Sequence, residues 1–103
     1  MNFNYQEMMK QARLMQKKME QIQEELKNAE FTATSGGGAV KVKVNGDQEV
    51  IEIKLGKDLS DLNDPEMLED MILVAVNDAI SQSKSEAKSR LSGLTGGLNI
   101  PGF

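Results

Sequence analysis

The stretch "FTATSGGGAVKVKVNGDQEVIEIKL", Phe31 to Leu55, decides the fold. "FTATS" runs into Gly36-Gly37-Gly38, Ala39 to Asn45 alternates apolar with basic, and after Gly46 the segment Glu49 to Leu55 alternates again. Side-chain alternation with period two, broken by glycine, is the pattern of half-buried strands joined by tight turns. A two-residue turn at Gly36-Gly37 predicts that Phe31 pairs with Val42 and Ala33 with Val40. Asn45-Gly46 is a strong hairpin signal, because both centres of the tightest turn take positive φ. A turn there sets Val40, Val42 and Val44 on one face with Ile51, Ile53 and Leu55. Two-residue and four-residue loops preserve that face equally, so the register stays open. The expectation is a three-stranded antiparallel meander with one apolar side.

Working outward, each flank reads as a helix. On the N-terminal side Asn4 is a cap, Glu7 stands three residues on as in a capping box, and Phe3 and Met8 occupy the staple positions. Tyr5, Met8, Ala12, Met15, Met19, Ile22, Leu26 and Ala29 then recur at spacings of three and four, a heptad seam. The helix predicted from them is about 25 residues, or roughly 37 Å long. On the C-terminal side the acidic connector "GKDLSDLNDPEMLED" ends in a start signal, with Asp64 as cap, Pro65 first in the helix and Glu66 in the first turn. That second helix is expected to reach about Leu91. From Met67 to Ile80 apolar residues cover most of its circumference, which calls for neighbours on more than one side. The end, "SGLTGGLNIPGF", reads as a mobile Gly-rich tail, giving one domain over 1–91 and a tail over 92–103. The class is α+β, in the order α-β-β-β-α.

Composition excludes several kinds of chemistry. Among 103 residues there is no cysteine and no histidine, which removes disulfides, thiolate metal sites and the commonest general base. No nucleophile and base can be assembled, so the chain is not expected to be an enzyme or to carry a cofactor. "MILVAV" at Met71 to Val76 is the longest apolar run, far short of the roughly 20 residues of a membrane span. With no leader pattern at the start, a soluble cytoplasmic protein without a membrane partner is predicted.

The net charge of −4 is unevenly spread. Lys10, Arg13, Lys17 and Lys18 stand against Glu7 in the first 18 residues, whereas residues 31–80 set ten acids against four lysines. Lys84, Lys88 and Arg90 restore a positive balance near the end. At 100° per residue Lys10, Arg13 and Lys17 form a stripe nearly opposite the seam, and Lys84 and Lys88 share a face one turn apart. With the two helices antiparallel, both basic clusters would lie at one pole. The bland reading is a solvated face; the functional one is a phosphate footprint, in which cations displace condensed counterions from a duplex. The seam Met8, Ala12, Met15, Met19, Ile22 and Leu26 is a packing surface, either within the chain or against a second copy; a homodimer is favoured, because the second helix already needs burial on several sides.

Two other motifs yield to simpler accounts. The triple glycine opens a strand rather than a helix and lacks the Lys-Ser/Thr of a phosphate loop. Asp58 to Glu69 has the length of a calcium loop, but Leu62 and Asn63 stand where a ligand and the turn glycine belong.

With these residues laid out, the chain resembles the YbaB/EbfC family of bacterial nucleoid-associated proteins. The resemblance rests on "MMKQARLMQKKME" (Met8 to Glu20), "GGGAVKVKVNG" (Gly36 to Gly46), "MLEDMILVAVNDA" (Met67 to Ala79) and the closing "PGF", in that order over nearly the whole chain. It implies a tweezer-shaped homodimer that binds duplex DNA in the nucleoid through protruding helix ends. The contact residues it implies are Lys10, Arg13, Lys17, Lys18, Lys84 and Lys88. Relatives are often basic just after Asn-Asp-Ala, where this chain has Ile80, Ser81, Gln82 and Ser83. The competing reading is a prefoldin-like holdase module that grips proteins with its helix tips and has no DNA role.

Overall fold

The computed structural model describes residues 4–60 and 63–95. Helix α1 (Tyr5–Asn28) is followed by strand β1 (Glu30–Ser35), a 3-10 turn over Gly36–Gly38, and strands β2 (Val40–Asn45) and β3 (Val50–Leu55). A single-turn helix α2 (Lys57–Ser60) and the long helix α3 (Pro65–Thr95) complete the chain. The expected order is therefore observed, with α2 added inside the connector. α3 continues to Thr95, past the expected end at Leu91, and the remainder of the expected tail, 96–103, lies outside the described residues. Both predicted caps operate: Asn4 Oδ1 accepts from the Glu7 amide at 3.3 Å, and Asp64 Oδ1 from the Met67 amide at 3.2 Å.

The sheet is an antiparallel meander in the order β1-β2-β3. Its first register differs from the one predicted. Phe31 pairs with Val44, Ala33 with Val42 and Ser35 with Val40, two residues along from the expected partners. The cause lies in the glycines, which all take positive φ (60°, 69° and 93°) and extend the turn through Ala39. Side-chain parity is unchanged, so the apolar face survives.

The second hairpin holds to the expected face through Val40–Leu55 and Val42–Ile53 pairs, but an irregularity at Lys43/Val44 sets Val50, not Ile51, opposite Val44. The turn is also built differently from the expectation. Gln48, not the Asn-Gly pair, carries positive φ, at 62°. Asn45 Oδ1 accepts from the amides of Asp47 (2.9 Å) and Glu49 (3.0 Å), a local side-chain turn that needs no left-handed Asn. Gly46 is required for a different reason: a Cβ there would collide with the backbone of Leu26.

α3 crosses β1 and β2, and the core lies between them. Val40, Val42 and Val44 are fully buried, with Ala33 and Leu59 beside them, under Ala75 and Ala79. Two alanines one turn apart let the helix approach the sheet closely. Ser35 Oγ donates to the Met71 carbonyl at 2.6 Å near the start of this crossing, and Ser83 Oγ to the Asn45 carbonyl at 2.7 Å near its finish. Beyond Ser83, α3 has left the sheet. α1 leaves the same end in the opposite chain direction, so the two helices project together from a small sheet body. A radius of gyration of 20.1 Å, against roughly 13 Å for a compact chain of this length, reflects that projection.

Candidate nucleic-acid interface

The projecting part has a base and a free stretch. At the base, α1 packs against the second half of α3. Leu26 is buried, Ile22, Met19 and Met15 are half-buried, and Met8 and Ala12 are exposed. The predicted seam is thus closed at one end and open at the other. Arg90 stands level with the closed end, bonded to Glu86 at 2.9 Å and 3.7 Å from Glu25.

The basic residues of α1 lie on the free stretch. Lys10, Arg13, Lys17 and Lys18 are all exposed, and none forms an ion pair among the described residues. Lys10, Arg13 and Lys17 line a shallow groove along the helix with Gln6, Tyr5, Met9 and Leu14. Their spacings of three and four place them on one face, over a rise of about 10 Å. One strand of a duplex carries a phosphate every ~3.4 Å of axis, so the stripe has the length of about three phosphates.

On the same helix face the sign of the charge then reverses. Glu20 and Glu24 continue the three-four spacing below Lys17 and border a second surface hollow with Gln23, Lys27 and Asp47. An anion lying along α1 is therefore attracted at the free end and repelled near the sheet. The Debye length at physiological salt, about 8 Å, is shorter than the roughly 10 Å of rise from Lys17 to Glu24, so the two segments interact mainly at the Lys17–Glu20 junction.

Lys84 and Lys88 share an exposed face of α3 and line a groove with Gln48, Ala87, Leu91 and Ser92. They stand at the base, beside the β2–β3 turn. Lys10 is 16 residues from Leu26, or about 24 Å along the helix. The antiparallel arrangement expected from sequence is observed and both clusters lie on the projecting part. They do not merge: Glu20, Glu24 and Glu25 fall between them.

Sequence reading missed two residues that shape this region, Ser83 and Gln48, and one core residue elsewhere, Leu59. Ser83 is fully buried, although the sequence marks it only as an uncharged position. A signal existed, since Ala75, Ala79 and Ser83 form a stripe of small residues four apart. Gln48 gave no signal, because its role depends on a turn type that the Asn-Gly pair disguised. Leu59, 5% exposed, lies at the other end of the sheet, in an acidic connector whose few apolar residues show no helical or strand period.

Comparison with known proteins adds three findings. Residues 1–98 match the profile of the YbaB/EbfC DNA-binding family. A nucleoid-associated protein of Clostridium acetobutylicum is 48% identical over 97% of this chain and 89% of its own, and one of Clostridium novyi 47% identical over 100% and 89%. An uncharacterized Helicobacter pylori protein of known crystal structure superposes with a TM-score of 0.80 at 24% identity, covering 92% of this chain and all of the other. That likeness establishes the fold.

Proposed function

The chain belongs to the YbaB/EbfC DNA-binding family, and on that premise we propose that it is a nucleoid-associated protein whose homodimer holds duplex DNA on the free ends of α1. The family and the names of the relatives support a DNA-binding role in the nucleoid; neither offers support for a prefoldin-like module. Binding proceeds by phosphate contact rather than by chemistry.

The observation that carries the site is a set of exposed cations on one face of a projecting helix, without carboxylate partners among the described residues, on an otherwise acidic body. Release of condensed counterions drives such binding without regard to sequence. The acids of residues 31–80 confine the duplex to the projecting part by repelling it elsewhere. Lys84 and Lys88 lie farther in and contribute less.

The homodimer is supported by an uncovered apolar surface. Ile53 and Leu55 pair with the buried Val42 and Val40 and so share their face, yet they are 46% and 48% exposed because α3 covers β1 and β2. Leu73, on an outward side of α3, is 58% exposed. β3 is also a sheet edge, with backbone groups on its outer side free to pair. A second copy set against β3 would cover both and hold two projecting parts in one particle, which is what a tweezer requires.

The test is gel retardation of duplex DNA beside a native mass measurement. Replacing Lys10, Arg13 and Lys17 by Glu is expected to abolish retardation while leaving twice the chain mass. Replacing Ile53 by Lys is expected to yield the single-chain mass. Undiminished retardation by the first variant would refute the contact residues, and an undiminished dimer in the second would refute the interface.

A further inference from the structure

Both helices leave the sheet across the same short turn, and that turn grips each of them. On one side the Gly46 amide donates to the Leu26 carbonyl at 2.8 Å, an approach that only glycine allows. On the other, buried Ser83 of α3 donates to the Asn45 carbonyl at 2.7 Å and accepts from Gln48 Nε2 at 3.2 Å. The same Gln48 amide group donates to the Gly46 carbonyl at 2.7 Å, joining the two grips. Gln48 is also the single non-glycine residue with positive φ among those described. Such a conformation persists only where surrounding bonds hold it, and it clusters at sites where geometry serves function.

We propose that the turn Asn45 to Glu49 is a positioning socket: Gly46, Gln48 and Ser83 together fix the direction in which α1 leaves the sheet, and hence where its cations meet the duplex. The inference rests on the reading above that Lys10, Arg13 and Lys17 contact DNA. None of the three socket residues needs to touch nucleic acid; they act through α1. The lever is long. Lys10 lies about 24 Å from Leu26, so a tilt of ~10° moves it by ~4 Å, beyond the ~3.4 Å between successive phosphates of a strand. A dimer must present two such stripes to one duplex, so an error at either socket spoils the match. Lys84 and Lys88, on the α3 side of the same socket, hardly move when α1 tilts, so the spacing between the two basic clusters changes as well.

Gln48→Gly separates positioning from stability, because glycine adopts φ near 62° readily while losing both side-chain bonds. Ser83→Ala removes the latch from the helix side and guards against a defect peculiar to the turn. The chain has no cysteine, so spin labels can be placed at Gln11→Cys on α1 and Thr32→Cys on β1, both exposed. Labelled protein diluted into unlabelled protein then reports the distance within one chain. Either variant is expected to shift that distance by ~4 Å, or broaden it equally, and to weaken duplex binding about fivefold. The salt slope should stay as it was, because the number of cations is unchanged. A loss of binding from unfolding alone would instead appear as a falling melting temperature with no change in the distance of the folded fraction.

An unaltered distance in both variants overturns the socket. So does an altered distance with unaltered affinity, which would mean that the direction of α1 does not matter to binding. If reversal of Lys10, Arg13 and Lys17 leaves retardation intact, the contact reading fails, and with it the DNA-facing part of this proposal. The label distances still decide the structural part.

Discussion

The two halves of α1 have the same helical period and opposite surroundings. From Glu20 to Asn28 the helix is docked: Leu26 is 5% exposed, Arg90 reaches Glu25, and the outer face carries Glu20 and Glu24. From Tyr5 to Lys18 it is free: Met8 is 46% and Leu14 49% exposed, and the outer face carries Lys10, Arg13 and Lys17. The contrast teaches that one element can divide its work along its length. Apolar burial at one end fixes the helix to the fold, and the charge at the other is free for the duplex contact proposed above. On that proposal, the acids of the docked half also limit how far a duplex slides toward the sheet.

Variants of this helix can break that division. Leu26→Ala is expected to destabilise the fold by about 3 kcal/mol, the cost of a buried leucine truncated beside packed backbone. Met8→Ala should stay within about 0.5 kcal/mol, since surface changes rarely exceed that in an isolated chain. Chemical unfolding of the two variants side by side checks the pair; equal losses would mean that the free half is buried in solution. Next in size, Glu20→Lys with Glu24→Lys should extend the cationic stripe and tighten duplex binding about tenfold at low salt. Titration by anisotropy reads this, and unchanged affinity would show that the duplex never approaches the docked half.

Smaller effects sharpen the comparison at the base. Arg90→Ala should cost about 0.5 kcal/mol, because a partly exposed pair one turn apart is weak and Glu25 adds little at 3.7 Å. Thermal melting at low and high salt checks it, with the difference shrinking as salt rises. Lys84→Ala removes one cation from each copy of the dimer and should lower the salt slope by less than ~2, the share of two phosphate contacts. A larger fall would move the centre of the interface from α1 to α3.

Much of the fold was legible because its decisive patterns are local. Val40, Val42 and Val44 announce the buried face through period two, and Asn4 and Asp64 announce both helix starts. The register between β1 and β2 was not legible, because loops of either length keep Phe31 and Ala33 on the same face. Three glycines allow a wider turn than the two-residue hairpin demands, and only tertiary contact selects between them. Leu59 is buried by what the rest of the chain brings over it, which no short window contains; for Ser83 the stripe of small residues marks a close-packed side, but not the Asn45 carbonyl it bonds. For the candidate site, the stripe of Lys10, Arg13 and Lys17 could be read from spacing alone. Its separation from Lys84 and Lys88 could not, since it depends on where α1 and α3 come into register. Leu73 and Val74 of α3 are exposed, so the neighbours expected on more than one side of this helix are not all supplied within the chain.

The most direct test of the account is the dependence of duplex affinity on salt, measured for the native protein and for Lys10→Gln, Arg13→Gln, Lys17→Gln. With about six phosphates engaged by a dimer, log K should fall against log salt with a slope near −5 for the native protein, and the neutralised variant should lose nearly all of that slope. A variant that keeps the native slope and affinity would contradict the assignment of the DNA contact to the free half of α1.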